Sequence, residues 1–333
     1  MLVSAIVNPA CLQAKEFDQP GHDIQSRLFF KGISENGLLL VDSENRLTRF
    51  LEDTLLTLPT KYGQDLLIRW TELVKKKRKR VISADSRACQ SLRSVPVDRL
   101  PQELARHCPV DGILTSEVTT PADVLLNTYD QSVFEDKRRQ FLVGSSPLDA
   151  LSRNEVDALI VPAIRYAKWL RFYDKQIGRG NNIVGFRRGI EYILKLWLKH
   201  GHFASRGTGE VTVLTGEARN IYPDDTAEAV QYKMKENREA YRVLCRNFVD
   251  PLSTLFPWPI SVIVKVDSRG NIHPRHLEAQ VAILLFEGGF DFIRNDGSTF
   301  KRTSLQIDNN AYEHLREYRE LPNAAYLEEH ATL

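Results

Sequence analysis

The stretch GLLLVD, residues 37–42, is short, almost wholly apolar and closed by an acid, which is typical of a strand buried on both faces. Apolar residues such as Leu47, Leu51 and Leu55 follow it at helical spacing. Three other strands of this kind are predicted in the first part of the chain: LVSAIV (2–7), RVISAD (80–85) and DGILTS (111–116). Strands alternating with helices predict an α/β fold of Rossmann type, with a mainly parallel sheet covered on both faces.

Length and composition limit the class of protein. The chain has 333 residues, which favours two domains over one. With 42% hydrophobic and 26% charged residues, its composition is that of a globular protein and argues against a disordered or fibrous class. The 45 Lys and Arg nearly balance the 43 Asp and Glu, so the net charge is only +2. Attraction to a polyanion must therefore come from local clusters of basic residues.

The cysteines and the hydropathy pattern indicate where the protein works. None of the four cysteines lies in a CxxC pair, which argues against a zinc ribbon and against a disulfide framework. No apolar run approaches the roughly 18 residues that a membrane helix needs, and the N-terminus lacks the features of a signal peptide. We therefore expect a cytoplasmic protein without a membrane span.

A cluster of Gly, Ser and Pro in FLVGSSPLDALSRNE, residues 141–155, predicts a domain boundary. We expect a first domain at residues 1–145 and a second at residues 151–330. Before the boundary, TTPADVLL (119–126) predicts a helix with Thr120 as its cap and Pro121 at its first position. After it, the capping-box spacing of Ser152 and Glu155 predicts another helix.

The second domain is also predicted to be α/β. A helix is expected over residues 186–201, and a long polar helix from about Asp225 to Phe248, ended by Asp250 and Pro251. SRGN (268–271) is a natural hairpin connection, so the strand before it is expected to pair with the segment after it, residues 272–285. The other strands predicted are LRFYD (170–174), VTVLTGE (211–217), SVIVKVD (261–267), FDFIR (290–294) and TSLQI (303–307).

NIHPRHLEAQ, residues 271–280, places an arginine between two histidines. Taken with an acid after an early strand, a threonine in a middle strand and a downstream GGFD, its order of motifs resembles the phospholipase D-like domain at the C-terminus of MIT-domain proteins. The residues that carry the resemblance are Asp174, Thr215, His273, Arg275, His276, Leu277, Gly289, Phe290 and Asp291. The resemblance implies a phospholipase D-like α/β domain in the second half of the chain.

The resemblance also implies a phosphodiesterase with His273, Arg275, Asp174 and Thr215 as catalytic residues. A neutral imidazole can attack phosphorus, which makes His273 the expected nucleophile. In a strand, Arg275 would share a face with His273 and could hold two phosphate oxygens, whereas His276 would point the other way. Sites of this family combine two such motifs without a metal, so a chain with one motif is expected to form a homodimer.

Two positions depart from the catalytic members of that family. Arg275 stands where those members have Lys, and Gln280 stands where they have an acid. The imidazole would then lack an orienting carboxylate. The alternative is a non-catalytic phosphate-binding module that docks nucleic acid or anionic lipid and partner proteins. A third interpretation is that His273 and Arg275 are only solvated residues at the rim of a strand.

Acidic residues near the predicted strand ends of the first domain suggest a metal site. Asp42, Asp85 and Glu117 could converge on one edge of a parallel sheet and hold Mg²⁺ or Mn²⁺ for hydrolysis. The pattern resembles a PIN-like nuclease domain, although Asn8 follows the first strand where such nucleases carry an acid. The alternative is that these acids cap helices and solvate loops.

Two groups of basic residues are candidates for phosphate contacts. KKKRKR comprises Lys75, Lys76, Lys77, Arg78, Lys79 and Arg80, which is either a nucleic-acid contact or a solvated helix end. Arg187 and Arg188 are expected in the first turn of the helix over residues 186–201. Cations there oppose the helix dipole unless an anion is bound.

Together these patterns predict a cytoplasmic, nuclease-like phosphodiesterase acting on nucleic acid in a bacterial defence or processing system. The expected partners are nucleic acid, a second copy of the chain and other proteins. Metal-dependent cleavage by the first domain is a further alternative.

Overall fold

The first half of the chain forms a five-stranded, wholly parallel sheet in the order β3-β2-β1-β4-β5. The computed structural model describes residues 3–76, 80–83, 90–140, 145–177, 179, 182–267, 273–297, 299–308 and 310–324. The chain divides into two compact units, Met1–Val143 and Gly144–Leu333. The strands of the first unit are β1 Val3–Val7, β2 Gly37–Val41, β3 Val81–Ser83, β4 Gly112–Thr115 and β5 Asp123–Leu125.

Helices follow or precede these strands, as the alternating pattern predicts. They are α1 His22–Asn36, α2 Arg46–Leu56, α3 Thr60–Thr71, α4 Leu100–His107 and α5 Val133–Gln140. Every residue of β1, β2 and β4 is buried. Because successive side chains of a strand point to opposite faces, uniform burial means that both faces of the sheet are covered. The predicted α/β class and parallel sheet are confirmed.

The helix predicted to begin after Thr120 is wrong, because β5 occupies that stretch and pairs with β4. The Asp123 carboxylate accepts hydrogen bonds from Thr119 N at 2.7 Å and Thr119 Oγ1 at 2.9 Å. These bonds fold the TTP stretch into a turn in place of a helix cap. The chain then enters β5 as a strand.

A buried ion pair joins α5 to α1. Arg138 donates two hydrogen bonds to Glu135, Nε to Oε2 at 2.6 Å and Nη2 to Oε1 at 2.7 Å, and Tyr129 donates to the same acid at 2.6 Å. Arg138 Nη1 also donates to Asn36 Oδ1 of α1 at 2.8 Å. Gly32 leaves room for the guanidinium, since a Cβ there would lie 2.8 Å from Arg138 Nε. The pair therefore fixes how α5 sits on α1.

The second unit contains a seven-stranded mixed sheet in the order β6-β12-β11-β10-β7-β8-β9. Strands β7, β8 and β9 are parallel, and the neighbouring pairs from β7 through β10, β11 and β12 to β6 are antiparallel. The strands are β6 Ser146–Pro147, β7 Leu170–Asp174, β8 Val211–Gly216, β9 Ile260–Lys265, β10 Arg275–Ala279, β11 Ile283–Phe286 and β12 Ser304–Ile307.

The helices of this unit are α6 Arg153–Ile164, α7 Ile183–His200, α8 Ala227–Leu244, α9 Asp250–Leu255 and α10 Tyr312–Glu320. The predicted Ser152–Glu155 capping box is present at α6. A π-helical stretch, Cys245–Val249, joins α8 to α9, so the long helix does not end at Pro251. Proline is tolerated there because it lies in the first turn of α9. No helix within the described residues is long and apolar enough to cross a membrane.

The predicted pairing of β9 with β10 is wrong. β9 lies at one end of the sheet beside β8, whereas β10 pairs with β7 and forms its hairpin with β11. Residues 280–282 make the turn, with Ala279 N donating to Ala282 O at 2.8 Å. The stretch FDFIR, predicted as a strand, contributes only the isolated bridge of Ile293 with Phe300.

The C-terminal helix α10 is fastened to the sheet at two points. Arg319 Nη1 donates to Tyr173 Oη at 2.7 Å and to Glu278 Oε2 at 2.6 Å. The buried Lys265 Nζ donates to Arg319 O at 2.5 Å and Leu321 O at 2.9 Å, both at the end of the helix. A cation at a helix C-terminus is favoured by the free carbonyl groups and by the helix dipole. Residues up to 324 thus belong to the folded core.

Replacing Arg138 with alanine should lower the free energy of unfolding by about 3–5 kcal/mol, because it leaves Glu135 charged and buried without its main partner. Urea denaturation followed by circular dichroism measures the change. Arg139→Ala is the control, since Arg139 also binds Glu135 but is mostly exposed and should contribute less than about 1 kcal/mol. Equal losses in the two variants would contradict the assigned role of the buried pair.

Candidate functional site

The carboxyl ends of β7, β8 and β9 lie side by side along one end of the second sheet, here called the carboxyl edge. Several polar residues lie there. Asp174 ends β7, and Thr215 lies beside it in β8, because Tyr173 is in register with Leu214. Strand β10 runs antiparallel to β7, so its first residue, Arg275, comes opposite Asp174 at the same edge. Ligands of open α/β sheets bind outside this end of parallel strands, which makes the edge the candidate site.

Asp174 is held by the backbone around it. The residue is 1% exposed, Gln176 N donates to its Oδ1 at 2.9 Å, and Phe290 N donates to its Oδ2 at 3.2 Å. Gly289, with φ +74°, lies so close that a Cβ would collide with the Asp174 carboxylate. Burial raises the pKa of Asp174 to about 6, although the backbone donors and Arg275 oppose the shift. The GGFD stretch therefore positions an acid that can titrate near neutral pH.

Arg275 is the exposed partner of this buried acid. Directly opposite residues of an antiparallel pair lie side by side on one face of the sheet, so the guanidinium and the carboxylate share a face. Arg275 Nη1 donates to the Glu287 carbonyl, and a guanidinium has further donors with which it can bind an anion. The structure thus brings together Asp174, Thr215 and Arg275 among the four predicted catalytic residues.

His273 is exposed but lies outside β10, which begins at Arg275. Strand alternation therefore does not place His273 and Arg275 on one face, and that part of the sequence argument is wrong. No hydrogen bond joins the His273 imidazole to another side chain in the part of the chain that the structure describes. His276 points away from Asp174, as expected, and its Nε2 lies 3.2 Å from Asp308 Oδ2. Burial lowers the pKa of His276.

Three buried residues of this edge were missed by the sequence analysis. Lys175 and Asp267, 2% and 4% exposed at their side chains, form an ion pair of 2.9 Å. Glu217 follows β8, and burial raises its pKa to about 7, although the charge of Arg179 and a hydrogen bond from Asn237 lower that pKa. The signal that could have found the two acids is their position directly after an apolar strand.

The predicted metal site of the first unit is described only in part. Asp42 is buried and accepts the first two N–H groups of α2, from Arg46 at 3.0 Å and Leu47 at 2.8 Å. Glu117 is exposed, and Asp85 lies outside the described residues. Among the residues that the structure describes, no three His, Cys, Asp or Glu side chains form a group suited to a metal. Asp42 acts as a helix cap, which is the alternative drawn from the sequence.

The basic run of residues 75–80 is described only in part. Lys75 is exposed at the end of a π-helical turn, whereas Lys77, Arg78, Lys79 and the Lys76 side chain lie outside the described residues. Arg80 donates to Glu35 O at 2.9 Å, and burial lowers its pKa. Arg80 therefore satisfies a carbonyl group in the last turn of α1.

Arg187 and Arg188 lie in the second turn of α7, because the helix begins at Ile183, earlier than predicted. The argument from an unfavourable position in the first turn is therefore wrong. Arg187 donates to Asn247 O at 2.8 Å and Arg188 to Asn295 O at 2.8 Å. Both guanidinium groups thus have carbonyl acceptors within the protein.

Comparison with models of known protein families and with curated proteins finds no match to this chain. The resemblances described above therefore stay predictions from the order of short motifs. What the site can do must be argued from its geometry: a buried acid of raised pKa, an exposed guanidinium opposite it and an exposed imidazole two residues away along the chain.

Asp42→Ala should lower the free energy of unfolding by about 1 kcal/mol in the presence of EDTA, because two N–H groups of α2 lose their acceptor. Thermal unfolding in EDTA and in Mg²⁺ measures the effect. Asp53→Ala is the control, since Asp53 is an exposed acid further along the same helix. A loss that appeared only when Mg²⁺ was present would favour a metal ligand.

Asp174→Asn should remove part of the pH dependence of stability. With a folded-state pKa of about 6, Asp174 keeps a proton that the unfolded chain releases near pH 4, so wild-type stability falls as the pH rises through this window. The asparagine variant should lack this fall, which is on the order of 3 kcal/mol. Urea unfolding at several pH values tests this, with the exposed Asp149→Asn as control. Parallel curves for the two variants would refute the raised pKa.

Proposed function

We propose that the second unit is a phosphodiesterase acting on nucleic acid, with Arg275 binding the phosphate at the carboxyl edge of β7 and β8. The observation that carries the proposal is the register of β10 on β7, which sets Arg275 opposite the buried Asp174. A guanidinium presents a planar fork of donors that matches two phosphate oxygens. The two groups interact electrostatically, since the charge of Arg275 lowers the pKa of Asp174 against the effect of burial.

In the reaction that we propose, the neutral His273 imidazole attacks phosphorus, so that a P–N bond forms as the P–O bond to the leaving group breaks. Arg275 stabilises the negative charge on the non-bridging oxygens. Asp174, with a pKa of about 6, supplies a proton to the leaving oxygen close to neutral pH. Water then attacks the phosphohistidine: a P–O bond forms as the P–N bond breaks, the water gives a proton back to Asp174, and the phosphate product leaves the restored imidazole.

This chemistry fits the phospholipase D-like architecture expected of the second unit. In that arrangement two histidine motifs face one phosphate. The chain has one such motif, so the proposal includes a homodimer in which a second copy contributes the other. A PIN-like character of the first unit is a separate proposal, which the helix-capping role of Asp42 does not favour.

A second candidate is phosphate binding without turnover, to nucleic acid or anionic lipid headgroups. Both oxygens of Asp174 accept backbone N–H groups, as expected of an acid that holds two loops together. Gln280 occupies the position where an orienting acid is expected, and it lies at the turn after β10. Under this alternative Arg275 keeps its role and His273 does not.

The test is hydrolysis of bis(p-nitrophenyl) phosphate and of labelled single-stranded DNA and RNA in EDTA. His273→Ala should reduce kcat by about a thousandfold or more, because the proposed reaction has no other nucleophile. Arg275→Ala should reduce kcat/KM by roughly a hundredfold, with partial recovery in Arg275→Lys. The controls are His107→Ala and Arg302→Ala, which alter exposed residues outside the site.

Each alternative predicts a different result. Binding of oligonucleotide that depends on Arg275, with no turnover in any variant, would favour the non-catalytic module. Cleavage that requires Mg²⁺ or Mn²⁺ and persists in His273→Ala would overturn the proposal and point to the first unit. A sedimentation experiment measures whether the active species is a dimer.

A further inference from the structure

Helix α8 is unusual among the helices of the second unit because little of it is buried. Over its 18 residues, only Asn237 and Leu244 are buried. A surface helix normally buries a broad apolar stripe. In α8, AEAVQYKMKENREAYRVL, the inner stripe is narrow and is interrupted by the polar Asn237, so much of the helix surface faces solvent.

A groove of about 470 Å³ runs along the exposed side of α8. The residues that line it are Gln231, Met234, Lys235, Arg238, Glu239 and Arg242. Successive lining positions recur every three or four residues, so these side chains form one continuous face of the helix. Arg246, also exposed, extends this face by a further turn.

The groove is predominantly cationic. Three of its six lining residues are basic and one, Glu239, is acidic. Arg242 Nη1 donates to Glu239 Oε2 at 3.4 Å, a long bond between exposed groups that contributes little. Two further acids are engaged away from the groove: Glu236 binds Arg219 at 2.8 Å, and Asp225 binds Lys233 at 2.7 Å. Among the lining residues, basic groups thus outnumber acidic ones by three to one.

The opposite side of α8 is tied to the edge that carries the candidate site. Asn237 Oδ1 accepts from Arg219 N at 2.7 Å, and its Nδ2 donates to Glu217 Oε1 at 3.2 Å. Glu217 follows β8 directly, and β8 is the neighbour of the strand that ends in Asp174. The buried Asn237 thus fixes the helix beside the carboxyl edge.

We propose that the α8 groove, defined by the six lining residues, binds the sugar-phosphate backbone of a nucleic-acid strand that continues to the Asp174–Arg275 edge. This inference rests on the proposed function, because it supplies the longer-range contacts that a polymeric substrate would make. Basic residues one helical turn apart, about 5.4 Å, can contact successive phosphates. Met234 gives the groove an apolar wall against which a sugar or base can pack.

A lipid surface fits the groove less well. Helices that lie in a membrane interface bury a face of Leu, Phe and Trp, with basic residues on the flanks. The groove has Met234 as its only large apolar lining residue among those that the structure describes. Charge without an apolar face favours a polyanion in water.

The experiment measures binding of a labelled single strand of about 30 nucleotides to the full chain over a series of salt concentrations. The test variant is Lys235→Gln/Arg238→Gln/Arg242→Gln. We expect binding about tenfold weaker at low salt, and a slope of log K against log salt reduced by about 2, since each lost phosphate contact on a single strand removes about 0.7. Circular dichroism verifies that the helix persists.

The matched control is Lys168→Gln/Lys195→Gln/Lys199→Gln, which removes three positive charges from exposed positions of the same unit away from α8. Its salt dependence should stay close to that of the wild type. Equal weakening in both variants would show that only net charge matters and would overturn the inference. So would a wild-type chain that binds no oligonucleotide, or one that binds anionic phospholipid vesicles in its place.

Hydrolysis of bis(p-nitrophenyl) phosphate separates this inference from the proposed function. The small diester cannot reach from the candidate site along α8, so its turnover should be unchanged in the α8 variant while strand cleavage falls about tenfold. If no variant hydrolyses either substrate but strand binding still depends on α8, the catalytic proposal fails and the α8 inference stands. If hydrolysis occurs and strand binding ignores α8, the reverse holds.

Discussion

The antiparallel pairing of β10 with β7 is the constraint on which the second unit depends. It joins two stretches about a hundred residues apart, and its register sets Arg275 beside Asp174 and Glu278 beside Arg171. A shift by one residue would move every side chain of β10 to the other face of the sheet. The candidate site on one face and the anchor of α10 on the other would then both be lost.

The second unit buries several charged groups near the carboxyl ends of its parallel strands. Asp174 sits in a nearly dry position, where a charged carboxylate is unfavourable, and backbone N–H groups offset part of the penalty. Lys175 and Asp267 resolve the same problem by pairing with each other. Such groups stabilise a fold less than apolar side chains of similar size would, so their presence at one sheet edge is more easily understood as a functional arrangement.

Much of the architecture could be predicted from the sequence, because the strands of the parallel sheets are short, uniformly apolar and bounded by polar residues. LRFYD matches β7 at both ends, and GLLLVD matches β2 to within one residue. The predictions were wrong where the local secondary-structure preference of a stretch and its long-range strand pairing disagree. A helix was predicted after Thr120, but the hydrogen bonds of Asp123 make a turn there. The hairpin at residues 280–282 was missed because it lacks the Gly or Pro that usually marks a turn.

The site was harder to predict than the fold. Asp174, Thr215 and Arg275 were found through the order of motifs, and the sheet brings them to one edge. Lys175 was missed because a lysine is normally exposed, and only its partner 92 residues away makes burial possible. His273 was placed in a strand by extending the β10 pattern backwards, although Pro274, which has no N–H to donate to a neighbouring strand, is a signal that the strand begins after it.

The fastening of α10 also has a consequence for how the protein is made. The short strand β6, at the start of the second unit, pairs with β12, near the end of that unit. Lys265 likewise binds carbonyl groups that come later in the chain, those of Arg319 and Leu321. On the ribosome, the described strands of the first unit have all emerged once residue 125 is out, whereas the sheet of the second unit cannot be completed until β12, Ser304–Ile307, has emerged. Until then β6 and β11 lack the strand that pairs with them, and unpaired strand edges of this kind are prone to aggregation.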